Sequence, residues 1–185
     1  MMQDLNQINE RLNRLTDREV RIVYLPPSPV AALHIMGSMA ELEGETAIRE
    51  FIDSHTLTEI KPDFRHYGFN HPDGLQPELT DHGYERWITI PGELEVKAPF
   101  VKKRFAGGLY AAHMIPMGAF EEWKQLSDWV HHNDLYEPAG GDPECMNGCL
   151  EEHLDFIHKY KLSAADTTIQ LDLLMPIKLK TVVYA

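Results

Sequence analysis

The sequence predicts an α+β fold in which duplicated strand-helix-strand-strand units form one antiparallel sheet, with two main helices and a central ligand cleft. The β-rich runs at residues 20–37 and 100–116 are each followed by an amphipathic helix and two further strand-like runs. Each helix is apolar along one stripe only, which favours packing of both helices on one side of the sheet.

The first unit opens with residues 20–37, where a cluster of prolines at positions 26–29 predicts a bend because proline cannot donate to a strand ladder. The apolar residues of the segment 44–55 have helical spacing; they are Ala47, Ile48, Phe51 and Ile52. Strand-like runs at 64–71 and 84–91 complete the unit, and the loop between them is rich in proline and glycine.

The second unit repeats this order. Residues 100–116 carry the pair Gly107 and Gly108, where a sharp bend fits, and residues 119–132 predict a helix with an aromatic core face. Trp123 lies on that face, so we expect it in the core. The runs at 149–156 and 168–179 are the last two strands.

A short amphipathic helix is predicted at residues 4–15, which gives an N-terminal segment 1–18 and a domain 19–185. The helix has fewer than two heptads, so we expect it to dock on its own domain. A homodimer formed through this helix is the alternative.

The formal net charge of −12, from 17 basic and 29 acidic side chains, argues against direct binding of nucleic acid. The sequence has neither a membrane-spanning apolar run nor a signal-peptide pattern, so we expect a cytoplasmic protein without membrane contact. Cys145 and Cys149 are expected to be reduced thiols, although metal ligation with nearby histidines is an alternative. We expect neither a cofactor nor a metal ion.

Strand alternation indicates which polar side chains share a face. In 84–91 it places Glu85 beside Trp87, and in 149–156 it places Glu151 beside His153. Leu150, Leu154 and Phe156 lie on the other side of the second strand and indicate that this side is the core. Glu152 is left there as an acid among apolar neighbours. A carboxylate beside aromatic rings suits a lipophilic cation, whereas solvated strand-edge acids are the alternative interpretation.

Motifs of nucleophilic catalysis and phosphate-binding glycine loops are missing from the sequence. Five stretches of the sequence, in this order, carry a family resemblance: VRIVYLPPSPVAALHIMG, YERWITIP, GGLYAAHMIPMGAFEEWKQLSDWV, CLEEHLDF and LDLLMPIK. Together they resemble the GyrI-like small-molecule-binding domains of bacteria, which also form the effector-binding half of AraC- and MerR-type transcription regulators.

This resemblance implies a cleft that binds hydrophobic, often cationic compounds, as multidrug-binding members do. Glu151 matches the family's cleft glutamate, and His153 stands where the family often has tyrosine. Tyr110 and Trp87 match cleft-lining positions, and Glu85 shares the side of Trp87. The predicted ligand-binding set is therefore Glu151, Trp87, Tyr110, His153 and Glu85.

Three functions are compatible with this resemblance. The first is a stand-alone binding protein for small hydrophobic or cationic compounds. Some stand-alone members are similar to cyclopropanoid hydrolases, which would make Glu151 and Tyr110 catalytic toward an electrophilic ligand. The third is a protein-interaction role such as inhibition of DNA gyrase. No helix-turn-helix precedes the domain in this sequence, so we do not expect the chain to read DNA by itself.

Overall fold

A computed structural model describes residues 14–73, 83–154, 156 and 169–181 of the chain. The predicted N-terminal helix at 4–15 lies almost wholly outside these residues. Most of the predicted loop between the strand-like runs 64–71 and 84–91 also lies outside them. None of the helices in the described part of the chain has the length and apolarity needed to cross a membrane.

The elements follow the predicted order in both halves. The first half contains β1 (Arg21–Leu25), β2 (Ser28–Met36), α1 (Ala40–Ser54), α2 (Leu57–Ile60), β3 (His66–Asn70) and β4 (Gly83–Thr89). The second contains β5 (Val101–Phe105), β6 (Gly108–Pro116), α3 (Glu122–His132), β7 (Tyr136–Pro138), a 3-10 helix (Pro143–Gly148), β8 (Leu150–Leu154) and β9 (Gln170–Leu179).

Within the described residues, one antiparallel sheet runs in the order β1-β6-β9-β8-β3-β4-β2-β5, and β7 pairs with β9 outside this path. The halves exchange their first strands, since β1 pairs with β6 of the second half and β5 with β2 of the first. The strands β2 and β6 are equivalent, nine residues each, with the fully buried pairs Ala31-Ala32 and Ala111-Ala112 at the same positions. The duplicated fold predicted from the sequence is confirmed.

The bend predicted at the prolines is also found, because β1 ends at Leu25 and β2 begins at Ser28. The first helix begins four residues before the predicted position 44. Its added turn starts at the buried Ala40 and carries Glu41 and Glu43, whose charges favour a helix N-terminus.

Both helices cover the same side of the sheet, which we call the helix face. Helix α1 buries Ile48, Phe51 and Ile52 against strands of the first half, and α3 buries Leu126 and Val130 against β6 and β9. The opposite side, which we call the far face, has an apolar cluster of its own built around Tyr67, Phe105 and Leu174 and closed partly by β5 and the 3-10 helix. Both faces of the sheet are therefore buried.

The far face also contains Glu152, the acid that was predicted to lie among apolar neighbours. Glu152 is 6% exposed and accepts two hydrogen bonds from Arg65, at 2.5 Å from Nε and 2.5 Å from Nη2. Its cross-strand neighbour Asp172 is paired with Arg21. Phe156, predicted on this side, instead packs in the core beneath α1, because the strand ends at Leu154.

Candidate ligand-binding cleft

The two halves meet on the helix face at a cross-strand row formed by Arg86, Gly68 and Glu151. Gly68 pairs with Arg86 on one side and with Glu151 on the other. A cavity of about 280 Å³ lies over this row between α1 and α3. Its lining residues are Glu41, Asn70, Tyr84, Arg86, Met117, Phe120, Trp123, Met146, Glu151 and His153.

Glu151 is the buried acid at the floor of this cleft, 8% exposed. Its Oε2 accepts a hydrogen bond of 2.7 Å from the Tyr84 hydroxyl, and its Oε1 accepts one of 3.5 Å from Trp123 Nε1. Both donors are uncharged, and within the described part of the chain Glu151 forms no ion pair. Burial raises the pKa of Glu151, although the hydrogen bonds from Tyr84 and Trp123 oppose it.

Tyr84 reaches Glu151 because the residue between them is a glycine. Tyr84 lies on β4 and Glu151 on β8, with β3 between the two strands. A Cβ built on Gly68 would lie 2.2 Å from the Tyr84 hydroxyl oxygen, far inside van der Waals contact. Burial, and next the carboxyl of Glu151, raise the pKa of Tyr84 well above its usual value, so the phenol keeps its proton and donates.

The other end of the cleft is formed by His153 and Arg86. His153 stacks on His66 with ring centroids 4.3 Å apart, and Arg86 Nη1 lies 3.1 Å from His66 Nε2 and 3.4 Å from His153 Nε2. Burial, followed by the charge of Arg86, lowers the pKa of His153 to about 3. Burial and the charge interaction with His153 lower the pKa of His66 well below its usual value. Both imidazoles are therefore neutral at physiological pH.

The structure does not bring the five predicted ligand-binding residues together. Glu151 and His153 line the cleft, as the alternation along β8 predicts. Glu85, Trp87 and Tyr110 point to the far face, since they alternate with cleft-side residues of β4 and with helix-face residues of β6. The prediction of one shared cleft is corrected on this point.

Glu85 is held on the far face by three polar neighbours. Its Oε1 accepts hydrogen bonds of 2.5 Å from Trp87 Nε1 and 2.5 Å from Lys103 Nζ, and its Oε2 lies 2.7 Å from His71 Nδ1. Burial acts to raise the pKa of Glu85, but the hydrogen bonds from Lys103, Trp87 and His71 outweigh it and lower the pKa. Tyr110 is buried in the far-face cluster near Phe105, at 6.3 Å between ring centroids.

Eight of the ten lining residues named above were not in the predicted set, and three of them, Tyr84, Arg86 and Trp123, are central to the cleft. Tyr84 and Arg86 share one face of β4 in the strand alternation, and Trp87 lies on the other. Because Trp87 was predicted to line the cleft, the face that carries Tyr84 and Arg86 was not. Trp123, predicted in the core, is half-buried and lines the cleft. Helical spacing shows that Trp123 faces inward but not whether it meets the sheet or the cavity beside it.

Comparison with known proteins gives a family. The model of Cass2, described as integron-associated effector-binding protein, matches residues 21–177. Among curated proteins, no significant match to this sequence is found.

Solved structures share the fold. The EcmrR C-terminal domain superposes with a TM-score of 0.59 at 9% identity, covering 86% of this chain and 96% of that one. An uncharacterised conserved protein from Listeria innocua gives 0.60 at 12% identity, covering 93% and 98%. A hydrolase from the same organism gives 0.58 at 11% identity, covering 93% and 98%. With its GyrI-like fold and a family match across both halves, the chain belongs to the Cass2 family of integron-associated effector-binding proteins.

Proposed function

We propose that this protein binds a compact apolar or cationic organic molecule in the cleft between its two halves, with Glu151 as the acid that faces the ligand. The observation that carries this proposal is the environment of Glu151. It is a buried carboxyl at the floor of a cavity, held by two uncharged donors, and it forms no ion pair among the described residues.

A ligand cation would supply the missing charge partner. Two unit charges 4 Å apart attract by about 4 kcal/mol at an effective dielectric constant of about 20, a value typical of partly buried sites. Loss of the proton from Glu151 would offset part of this gain, because burial favours the protonated carboxyl. We therefore expect cation binding to be coupled to proton release and to strengthen with rising pH.

The remaining walls suit an aromatic or aliphatic ligand. Tyr84, Phe120 and Trp123 supply ring faces, and Met117 and Met146 supply flexible side chains that adapt to different shapes. The cavity of about 280 Å³ is close to the lower limit of about 300 Å³ for small-molecule pockets. We therefore expect a ligand of one or two fused rings to fit without rearrangement.

The test uses a matched pair of ligands, the cation N-methylquinolinium and its neutral isostere 1-methylnaphthalene. Quenching of tryptophan fluorescence, to which Trp123 contributes, gives the affinity of each ligand for the wild type and for Glu151→Gln. Glu93→Gln is the control, because it removes the same charge from an exposed loop outside the cleft. A preference for the cation that is lost only in Glu151→Gln supports the proposal.

Hydrolysis of an electrophilic ligand is a second candidate function, favoured by the contact of the Tyr84 hydroxyl with Glu151 at 2.7 Å. The Glu151 carboxylate would accept a proton from water as the water oxygen attacks the electrophilic carbon. The bond between that carbon and its leaving atom would break, the Tyr84 hydroxyl would protonate the leaving atom, and Glu151 would then return the proton to Tyr84. Tyr84, rather than the far-face Tyr110, is the phenol placed to assist. Mass spectrometry of a bound electrophile separates the two functions, because hydrolysis adds the mass of water and binding leaves the mass unchanged.

A further inference from the structure

Arg86 occupies the centre of a cluster of metal-ligand side chains. Its Nη1 lies 3.1 Å from Glu45 Oε2, 3.1 Å from His66 Nε2 and 3.4 Å from His153 Nε2. These three residues come from α1, β3 and β8, and their ligand atoms lie within 4.8 Å of one another. One carboxylate and two imidazoles are a donor set that divalent transition metals prefer.

The Arg86 guanidinium determines which ring nitrogen of His66 and of His153 carries the proton. A guanidinium has donors only, so each Nε2 that contacts Arg86 Nη1 presents its lone pair, and the ring proton sits on Nδ1. Among the described residues, neither Nδ1 atom has a hydrogen-bond partner, although both are buried. A tautomer is usually set by the partner of the other ring nitrogen, so here Arg86 imposes it. These are also the neutral imidazoles that would ligate a metal.

Arg86 is held in this position from two further directions. Its Nη2 donates to the Glu41 carbonyl at 3.0 Å, which ties β4 to the first turn of α1. A Cβ on Gly44 of α1 would lie 3.1 Å from Arg86 Cδ and 3.1 Å from Nε, so the glycine allows the arginine to lie close against the helix. The guanidinium also lies over the Tyr84 ring, 5.0 Å from its centroid.

We propose that Arg86 is a built-in cation that fills what is otherwise a Glu45-His66-His153 site for a divalent transition metal. It fixes both imidazoles as Nδ1–H tautomers whose Nε2 atoms accept from Arg86.

The first test uses the wild type alone. Long-range ¹H–¹⁵N NMR at neutral pH reports which ring nitrogen of each histidine carries the proton, and His66→Gln and His153→Gln assign the signals. We expect both rings to be neutral with the proton on Nδ1. A proton on Nε2 of either ring, or a charged imidazole, overturns the proposal.

The second test removes the cation. We expect Arg86→Ala to bind Co²⁺, with the visible absorption of a nitrogen- and oxygen-ligated ion, at least about tenfold more tightly than the double variant Arg86→Ala/His153→Ala. The wild type and Arg104→Ala, which loses an exposed arginine of β5, are expected to show no such absorption. Equal Co²⁺ binding by all four proteins, or none by a folded Arg86→Ala, contradicts the proposal. If Arg86→Ala does not fold, the NMR result decides.

Neither test involves an organic ligand. A failure here therefore leaves the proposed role of Glu151 intact, and a failure of the quinolinium experiment leaves the role of Arg86 intact.

Discussion

Gly68 lies directly opposite Glu151 in the ladder between β3 and β8, and the space left by its missing side chain is filled by the Tyr84 hydroxyl. At this pair the row across the sheet therefore carries an acid on β8 and no side chain on β3. The phenol from β4 crosses that space and joins the halves through a hydrogen bond of 2.7 Å.

Gly68→Ala is expected to push Tyr84 away from Glu151 and to destabilise the protein by about 1–3 kcal/mol, as overpacking usually does. Chemical denaturation measures the change. In a Tyr84→Ala background the same substitution should cost much less, because the clashing ring is gone. Additive effects of the two substitutions would show that Gly68 is required for another reason.

Glu151 makes the protein less stable as the pH rises. The pKa of Glu151 is raised in the folded state, so above the ordinary value of 4.5 the folded chain holds a proton that the unfolded chain has lost. The free energy of unfolding then falls with increasing pH until the folded-state pKa is passed. Urea denaturation between pH 4.5 and 8 should show Glu151→Gln gaining stability relative to the wild type as the pH rises. A constant difference across this range would contradict the raised pKa.

His153 acts in the opposite direction. Its pKa is lowered to about 3 in the folded state, so below the usual value of 6.5 the unfolded chain binds a proton that the folded chain does not. Stability is complete above about pH 6.5 and falls as the pH drops toward 3. His153→Gln, whose side-chain oxygen can accept from Arg86, should lose less stability than the wild type between pH 7 and 5. Melting temperatures at the two pH values provide the measurement.

The ion pair of Arg65 with Glu152 is expected to matter far more for stability than a surface pair. Arg65→Ala leaves the buried carboxyl of Glu152 without its partner. Because the Arg65 side chain is 35% exposed, we expect a cost below the value of about 3–5 kcal/mol that is typical of a fully buried pair. Lys124→Ala is the control, because it breaks an exposed pair with Asp128 on α3 that is worth at most about 0.5 kcal/mol. Similar losses in the two variants would argue against a buried charge at Glu152.

The sequence predicted the fold more completely than the cleft, and the reason is physical. Prolines, helical apolar stripes and strand alternation are local signals, and they gave the duplicated order of elements. Alternation also predicted that Glu151 and His153 share a side. It could not show which face of the sheet carries the cleft, because apolar clusters cover both faces. Trp87 and Tyr110 were therefore assigned to the cleft, although they pack on the far face.

Arg86 illustrates what a single sequence cannot reveal. Its role depends on Glu45, His66 and His153, which come from three different elements and meet only in the folded sheet. The spacing of these residues along the chain matches no metal-binding motif. Only the distances from Arg86 Nη1 to the three side chains show that the arginine lies between them.

The most direct test of the account is the affinity of N-methylquinolinium and 1-methylnaphthalene at pH 8 for the wild type and for Glu151→Gln. We expect the wild type to prefer the cation by about tenfold or more, equivalent to about 1.4 kcal/mol, and Glu151→Gln to lose this preference while still binding the neutral isostere. Equal preferences in both proteins, or binding of neither ligand to the wild type, would contradict the central role of Glu151.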